Sequence, residues 1–435
     1  MKLKSNLHIF LSGLFALFGI TGCISDGVTT SASAQPEFSA DTVNLGKVWA
    51  GETTPTAMVR IYNRNSEGII LSRVGVASVT DGEVRLNLDG TPGKSFENVE
   101  IRANDSIYLL AEALPTDGFE AKIEVSANGK THYIPVTADP ITPEELNDLT
   151  ISSPLTLVGD KAYRIGGNLA VSAGATLTIE AGTSLYFRDG AGITVEGTLL
   201  ASGTPEKPVT MRGDRLGMVV PSVSFDVMAG QWKGVSFTPA EGAEPSSLEG
   251  VAIVNTQAGL ILGEGTELKL TNCRISNSQN CAVSATGANL KAVGCEISNA
   301  AASLVSLSGG KAELDRCTLA NYYLFAFPSG AAVTLADNAA ISVVESIIFG
   351  NGPELSASKP LPADVKFVKC LFGAKGSDDA NFINCIWESD PQFKLDLEKY
   401  EMDFRLGADS PALGKASGSR TDIYGKIGSA LGAYN

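Results

Sequence analysis

From Val251 to Asn321 the chain repeats itself every 22 residues, and no other feature of its 435 residues restricts the fold as tightly. Val251, Cys273, Cys295 and Cys317 form one column, and Ile253, Ile275, Ile297 and Leu319 the next. Asn255, Asn277, Asn299 and Asn321 form a third. Repeats of roughly 20–50 residues mark solenoids, in which each unit buries its apolar side only against its neighbours. Each unit here holds three apolar pairs at i, i+2, the strand period. Gly259/Ile261, Leu268/Leu270 and Cys273/Ile275 become Cys281/Val283, Leu290/Ala292 and Cys295/Ile297. Ser303/Val305, Ala312/Leu314 and Cys317/Leu319 follow, and Phe325/Phe327 continues the first column.

Three short strands per repeat, with no helical stripe, predict an all-β chain containing a right-handed parallel β-helix. Leucine-rich repeats are the runner-up, but their L-x-x-L-x-L-x-x-N frame is missing. The register runs on through Ile341, Val343, Ser346 and Ile348, then Val365, Phe367, Cys370 and Phe372, then Ala380, Phe382, Cys385 and Trp387. Trp387 is thereby placed inward, as terminal core. Strings such as G-A-T-L-T-I-E-A-G-T and G-I-T-V-E-G-T-L-L-A-S-G-T, upstream of the repeats, resemble the early coils of pectin-lyase-like β-helix proteins. That resemblance covers residues 150–435 and implies the fold far more than any activity. The helix domain is expected over 151–435, roughly 50 Å long at about 4.8 Å per rung. Arg212 to Gly230 breaks the rhythm and reads as a loop projecting from one coil.

The residue after the Cys column should face outward. It reads Arg274, Glu296 and Thr318, and then Ile347, Leu371 and Ile386. Three apolar residues facing out need a cover, and the tail 390–435 is expected to fold back over them. Inward side chains on successive rungs sit farther apart than a disulfide wants. Cys273, Cys295 and Cys317 therefore read as buried free thiols, with a disulfide the lesser option. No C-x-x-C and no His accompanies them, so no metal site is expected. The Asn column suits a left-handed corner, with amides stacked to hydrogen-bond one another.

Upstream the pattern differs. Runs such as Met58–Tyr62, Ile69–Leu71, Ser106–Leu110 and Ala121–Val125 alternate between Gly, Asn and Asp clusters, which predicts an antiparallel β-sandwich over 37–139. The order D-T-V-N-L-G-K-V, V-R-I-Y-N, A-N-D-S-I-Y-L, Y-I-P-V-T-A resembles immunoglobulin-like modules of bacterial surface proteins, which implies a spacer or adhesion role. Between the domains, Thr142-Pro143-Glu144-Glu145 has the form of a capping box. It predicts a short helix within 140–150, serving as a β-helix cap or as a rigid elbow.

Lys2 and Lys4 precede an apolar run from Leu7 to Ile20, the plan of a secretory signal over 1–22. The run is short for a membrane span and includes Ser12 and Gly13. Ile20-Thr21-Gly22-Cys23 resembles the lipobox of bacterial lipoproteins, which implies cleavage before Cys23 and its lipidation; an ordinary cleaved signal is the alternative. In that pattern Asp after the Cys favours the inner membrane, and Ile24 there implies a lipid-anchored outer-membrane protein. Residues 23–36, rich in Ser, Thr and Ala, read as a flexible tether. The formal charge of −15 argues against nucleic-acid partners.

Chemistry is sparse. The families that share this fold include polysaccharide lyases and hydrolases, which work with Ca²⁺-binding carboxylates and basic residues or with N-x-D, D-D, G-H-G and R-x-K motifs. The chain's only His are His8 and His132, both outside the β-helix. Asp378-Asp379 reads as a turn, with Ca²⁺ the less favoured use, and no cofactor is expected. Lys269, Lys291, Glu313 and the pair Arg274/Glu296 mix signs as a solvated surface does. Tyr322-Tyr323 is the candidate binding site: a sugar-stacking platform at a turn, unless one ring packs on the neighbouring coil. The outward column Leu260, Ala282, Leu304, Ala326 is a second candidate face. The expected protein is a membrane-anchored, non-catalytic binder of a polysaccharide or surface protein; the alternative is a lyase or hydrolase.

Overall fold

The computed structural model describes residues 27–220 and 223–435. The signal segment 1–22 and Cys23 lie outside the described residues. The described chain contains strands, turns and one short 3₁₀ turn, and no α-helix. It forms two compact units, the first ending at Ala138 and the second comprising Gly46–Glu52 and Asp139–Asn435.

The first unit is built on an eight-stranded antiparallel sheet. Its period-2 runs behave as their patterns require: in Ala57–Tyr62, Val59 and Ile61 are buried while Met58 is exposed. Ser106–Leu110 and Ala121–Val125, expected as separate strands, belong to one strand, Ser106–Ala127, paired along Ile69–Leu88. Register shifts at Leu71/Arg73, Val76/Ser78 and Thr80/Gly82 bend this pair. The sheet's core is centred on Ile61, Ile69, Leu71, Leu109 and Ile123. Gly27–Pro36, expected as free tether, instead joins this unit. Val28 bridges Gly68, Ala34 is buried in the core, and Asn128 Nδ2 donates to the Ala34 carbonyl at 2.7 Å. A backbone bridge at Val28 and one buried side chain, Ala34, outweighed the composition.

The second unit is a parallel β-helix of three faces. Face one has ten strands, opening with Glu144–Leu146; face two has nine, opening with Leu149–Ile151; face three has ten, opening with Leu155–Leu157. The capping-box helix is absent: Glu144–Leu146 pairs with Tyr163–Ile165 as the first rung. A two-turn helix scarcely nucleates alone, whereas a strand here gains a full ladder and packs Leu146 on the core. The interior is one continuous cluster from Ile151 to Phe372. Trp387 closes it partly buried, its ring stacked on Phe372 at 4.7 Å.

Two columns match the strict 22-residue register and one does not. Face two pairs Leu260 with Val283, Val305 and Val333 in turn, so Leu260/Leu262 point inward and Ile261 is exposed. The corner after Asn255 is one residue shorter than the corner after Asn277, and a one-residue slip exchanges faces. Leu260, Ala282 and Leu304 are fully buried, which removes that candidate docking column. Phe325 and Phe327 leave the interior, and Val333/Leu335 take their place.

From Glu249 to Leu371 the chain turns from face three to face one in one or two residues. Gly250, Asn272, Gly294, Arg316, Glu345, Lys369 and Asn384 stand first in successive corners, all at positive φ. From Asn272 on, the second residue is the Cys-column member. Cys273 Sγ donates to Leu248 O at 3.3 Å, and Cys370 Sγ to Val343 O at 3.3 Å. Cys317 N donates to Ser346 Oγ at 2.9 Å. From Cys273 on the column holds a small side chain that bonds to the backbone of adjacent coils, which Ser does as well as Cys. All six described cysteines are free, and burial pushes the Cys295 and Cys317 thiols far up.

Candidate functional site

The corner from face one to face two carries the two long insertions. One runs from Asp214 to Gly234, between the strands Val209–Gly213 and Val235–Phe237, and the other from Tyr322 to Ala332, between Thr318–Asn321 and Val333–Ala336. Three short corners separate them, so the insertions stand four rungs apart, about 19 Å. The Asn column lies at this corner, with Asn255, Asn277 and Asn299 at φ of 66°, 57° and 53°. The amides were expected to bond one another, but they hold the insertions instead. Asn255 Nδ2 donates to Asp226 O at 2.8 Å and to Met228 O at 2.9 Å, and Asn277 Nδ2 to Asp226 O at 3.0 Å. Asn299 Oδ1 accepts from Tyr322 N at 3.0 Å, and Asn321 Oδ1 from Tyr323 N at 3.3 Å. Only the loops' excess length signalled this role in the sequence.

The two tyrosines part company. Tyr322 is half-buried against Phe349 and Phe404, at ring distances of 6.5 and 6.0 Å. Burial, with Asp390 nearby, pushes its phenol up to about 12. It belongs to the packing under the tail, so the paired-tyrosine platform does not form. Tyr323 is partly buried and meets Phe325 edge-on at 5.7 Å. Phe325 is 48% exposed and Phe327 73%. Tyr323, Phe325 and Phe327 thus form an open aromatic surface. The first insertion exposes Met218, Val219 and Val220 on the same corner.

Elsewhere charge has been absorbed into structure. Arg274 and Glu296, expected in solvent, lie under the C-terminal tail. Glu296 is 6% exposed and accepts from Ser298 Oγ at 2.6 Å and from the Tyr434 hydroxyl. Burial, with Glu296 alongside, pushes that phenol well up. Ile347 and Leu371 are buried in a cluster with Ala412 and Leu431, Ile386 packing at its edge. Asp378 and Asp379 turn their oxygens to backbone amides: Asn384 and Cys385 for the first, Asn381 and Phe382 for the second. That use leaves them a poor Ca²⁺ cradle. Among the described residues no group of three or more His, Cys, Asp or Glu is placed to hold a metal. On face three, Glu313 pairs with Lys311 at 2.6 Å and Lys291 at 3.9 Å.

Parallel three-faced coils with insertions on one corner define a right-handed parallel β-helix protein. The family profile described as "Right handed beta helix region" matches residues 227–386. No curated protein matches the chain. Similar solved structures include the catalytic unit of a thermostable GH87 alpha-1,3-glucanase from Streptomyces thermodiastaticus, at 14% identity and TM-score 0.25, over 69% of this chain and 63% of that one. The Agl-KA catalytic domain is similar at 10% identity and TM-score 0.27, over 77% and 76%. A family 123 glycoside hydrolase from Clostridium perfringens follows at 10% identity and TM-score 0.20, over 25% and 27%. The chain thus spans about a quarter of that last structure.

Proposed function

We propose that the chain is a lipid-anchored cell-surface protein whose β-helix binds a glycan without turning it over. One observation carries the reading. The interval from Cys317 to Ser346 is seven residues longer than the 22 of the preceding coils, and the extra length exposes Phe325 and Phe327. Large exposed aromatics on an insertion held by Asn299 and Asn321 suit stacking on sugar rings. The immunoglobulin-like likeness of the first unit supports a spacer role, and the lipobox at Cys23 supports an outer-membrane anchor.

Glycan arrays with wild type and a Phe325→Ser/Phe327→Ser double variant test the binding. Retention of glycans by wild type and their loss in the variant is the expected result; equal retention sinks the aromatic surface. Release assays on acidic polysaccharides with Ca²⁺ address the lyase or hydrolase alternative, and unsaturated or shortened product would overturn the non-catalytic reading. Globomycin-sensitive processing and membrane partitioning test the anchor, which fails if Cys23→Ala partitions as wild type does.

A further inference from the structure

The first unit carries a site of its own, on the outer face of its sheet. The strands Ala57–Tyr62, Ser106–Ala127, Ile69–Leu88 and Thr91–Gly93 lie side by side in that order. Met58 pairs with Leu110, Leu110 with Asn87 and Asn87 with Pro92, so these four stand in one row. Glu112 and Arg85 face each other in the next row. Residues opposite one another across antiparallel strands share a face. Over these rows opens a cavity of about 490 Å³, within the usual size range of small-molecule sites.

Three properties of its walls narrow the occupant. The charges cancel: Glu83 and Glu112 face Arg85 and Lys94, with Glu83 held at 3.6 Å from Arg85 and 3.5 Å from Lys94. A ligand with net charge gains nothing there. Asn87 Oδ1 is buried and accepts no hydrogen bond, although buried polar atoms almost always find partners. Asn87 lines the cavity, and a ligand hydroxyl that reached this amide would supply the partner it lacks. Lastly, Leu110 and Pro92 line the cavity and add an apolar patch to the carboxylates, amide and guanidinium. Flat polar groups suit neighbouring hydroxyls, and an apolar patch suits the C–H face of a sugar ring.

We propose that this cavity binds a neutral saccharide of roughly one or two rings. The site is separate from the Phe325/Phe327 surface and stands whether or not that surface binds glycans.

The test titrates the full mature chain with glucose, galactose, mannose, N-acetylglucosamine and their disaccharides at millimolar concentration, read by calorimetry and saturation-transfer NMR. The site predicts binding of at least one of them, insensitive to salt. Asn87→Ala and Glu112→Ala should each weaken it about tenfold or more, the loss of one good hydrogen bond to a charged or buried partner. Thr56→Trp, at an exposed rim position, should block the cavity without touching the core, which keeps the result independent of folding defects. Absence of binding across the panel overturns the proposal. So does binding that survives all three variants, or preference for glucuronic acid or glucosamine over the neutral sugars. Phe325→Ser/Phe327→Ser should leave this binding intact; its loss there would place the sugar on the β-helix instead.

Discussion

Replacing Glu345 by Ala should release the C-terminal tail. Glu345 stands at a face-three corner with φ 48° and is 4% exposed. Its carboxylate accepts from Arg316 Nε at 3.2 Å, from Ser417 N at 2.8 Å and from the Ser417 hydroxyl, with Lys369 Nζ at 3.5 Å. Arg316, its side chain 12% exposed, would be left as a nearly buried charge without this partner. Breaking such a pair costs about 3–5 kcal/mol. The lower figure applies because Lys369 is 41% exposed and can turn to water. About 3 kcal/mol raises the open population of the tail on the order of 100-fold. Limited proteolysis follows that population when reclosing outruns cleavage, so tail cleavage should accelerate by a similar factor. Glu345→Gly should cost about 1 kcal/mol less than Glu345→Ala, because glycine carries no penalty at positive φ. The pH dependence has a defined sign. Burial works to raise the carboxyl's pKa, but the bonds from Ser417 and the charge of Arg316 bring it below the ordinary 4.5. A depressed folded pKa gives stability that is complete above 4.5 and fades as pH falls through the lower folded value. Wild-type cleavage should therefore rise below pH 4.5, and Glu345→Gln should flatten that rise. Cleavage of Glu345→Ala within about twofold of wild type would refute the reasoning, since that ratio corresponds to less than about 0.5 kcal/mol.

Three further perturbations test the scaffold. Gly259→Ala places a β-carbon against the Ala282 carbonyl at a φ of 40°; it should destabilise the β-helix by about 3 kcal/mol in urea unfolding, from overpacking and backbone strain together. Asn277→Ala removes the bond to Asp226 O at 3.0 Å and leaves a β-carbon at φ 57°. It should cost about 2 kcal/mol, of which Asn277→Gly recovers about half, and hydrogen exchange of Phe225–Met228 should report the loosened insertion in both. Iodoacetamide should spare Cys273, Cys295, Cys317 and Cys370 in the folded protein and reach the partly exposed Cys281 and Cys385 first. Native-state labelling of Cys295 at the unfolded rate would contradict its burial.

The sequence was most legible where each coil repeats the last. Leu268/Leu270 and Cys273/Ile275 could be carried from coil to coil because a side chain's face is fixed by parity along a strand. The same parity makes a strand's inward face sensitive to every change in loop length. One residue fewer after Asn255 sent Leu260 inward, and seven more after Asn321 moved Phe325 and Phe327 from expected core to surface. Loop length is not written in apolar periodicity. The capping box at Thr142 failed for another reason: its local preference was sound, but a ladder with Tyr163–Ile165 offered more. Arg274 and Glu296 could not be placed by any local rule, since only the returning tail buries them, through Tyr434 far along the chain.

The corner asparagines join scaffold and candidate site. A residue at positive φ is easily explained as backbone necessity, and at Asn384, one corner away, that explanation suffices. Glycine would serve the same φ at Asn255, Asn277 and Asn299 with less strain. It would, however, leave Asp226 O, Met228 O and Tyr322 N without the side-chain partners they now have. Asn321 lies outside the positive-φ set, yet it holds Ala300 O and N as well as Tyr323 N. Backbone tolerance therefore cannot account for the whole column. Anchoring of the inserted loops can, and that is why the repeat most useful for reading the fold also marks the corner where binding is proposed.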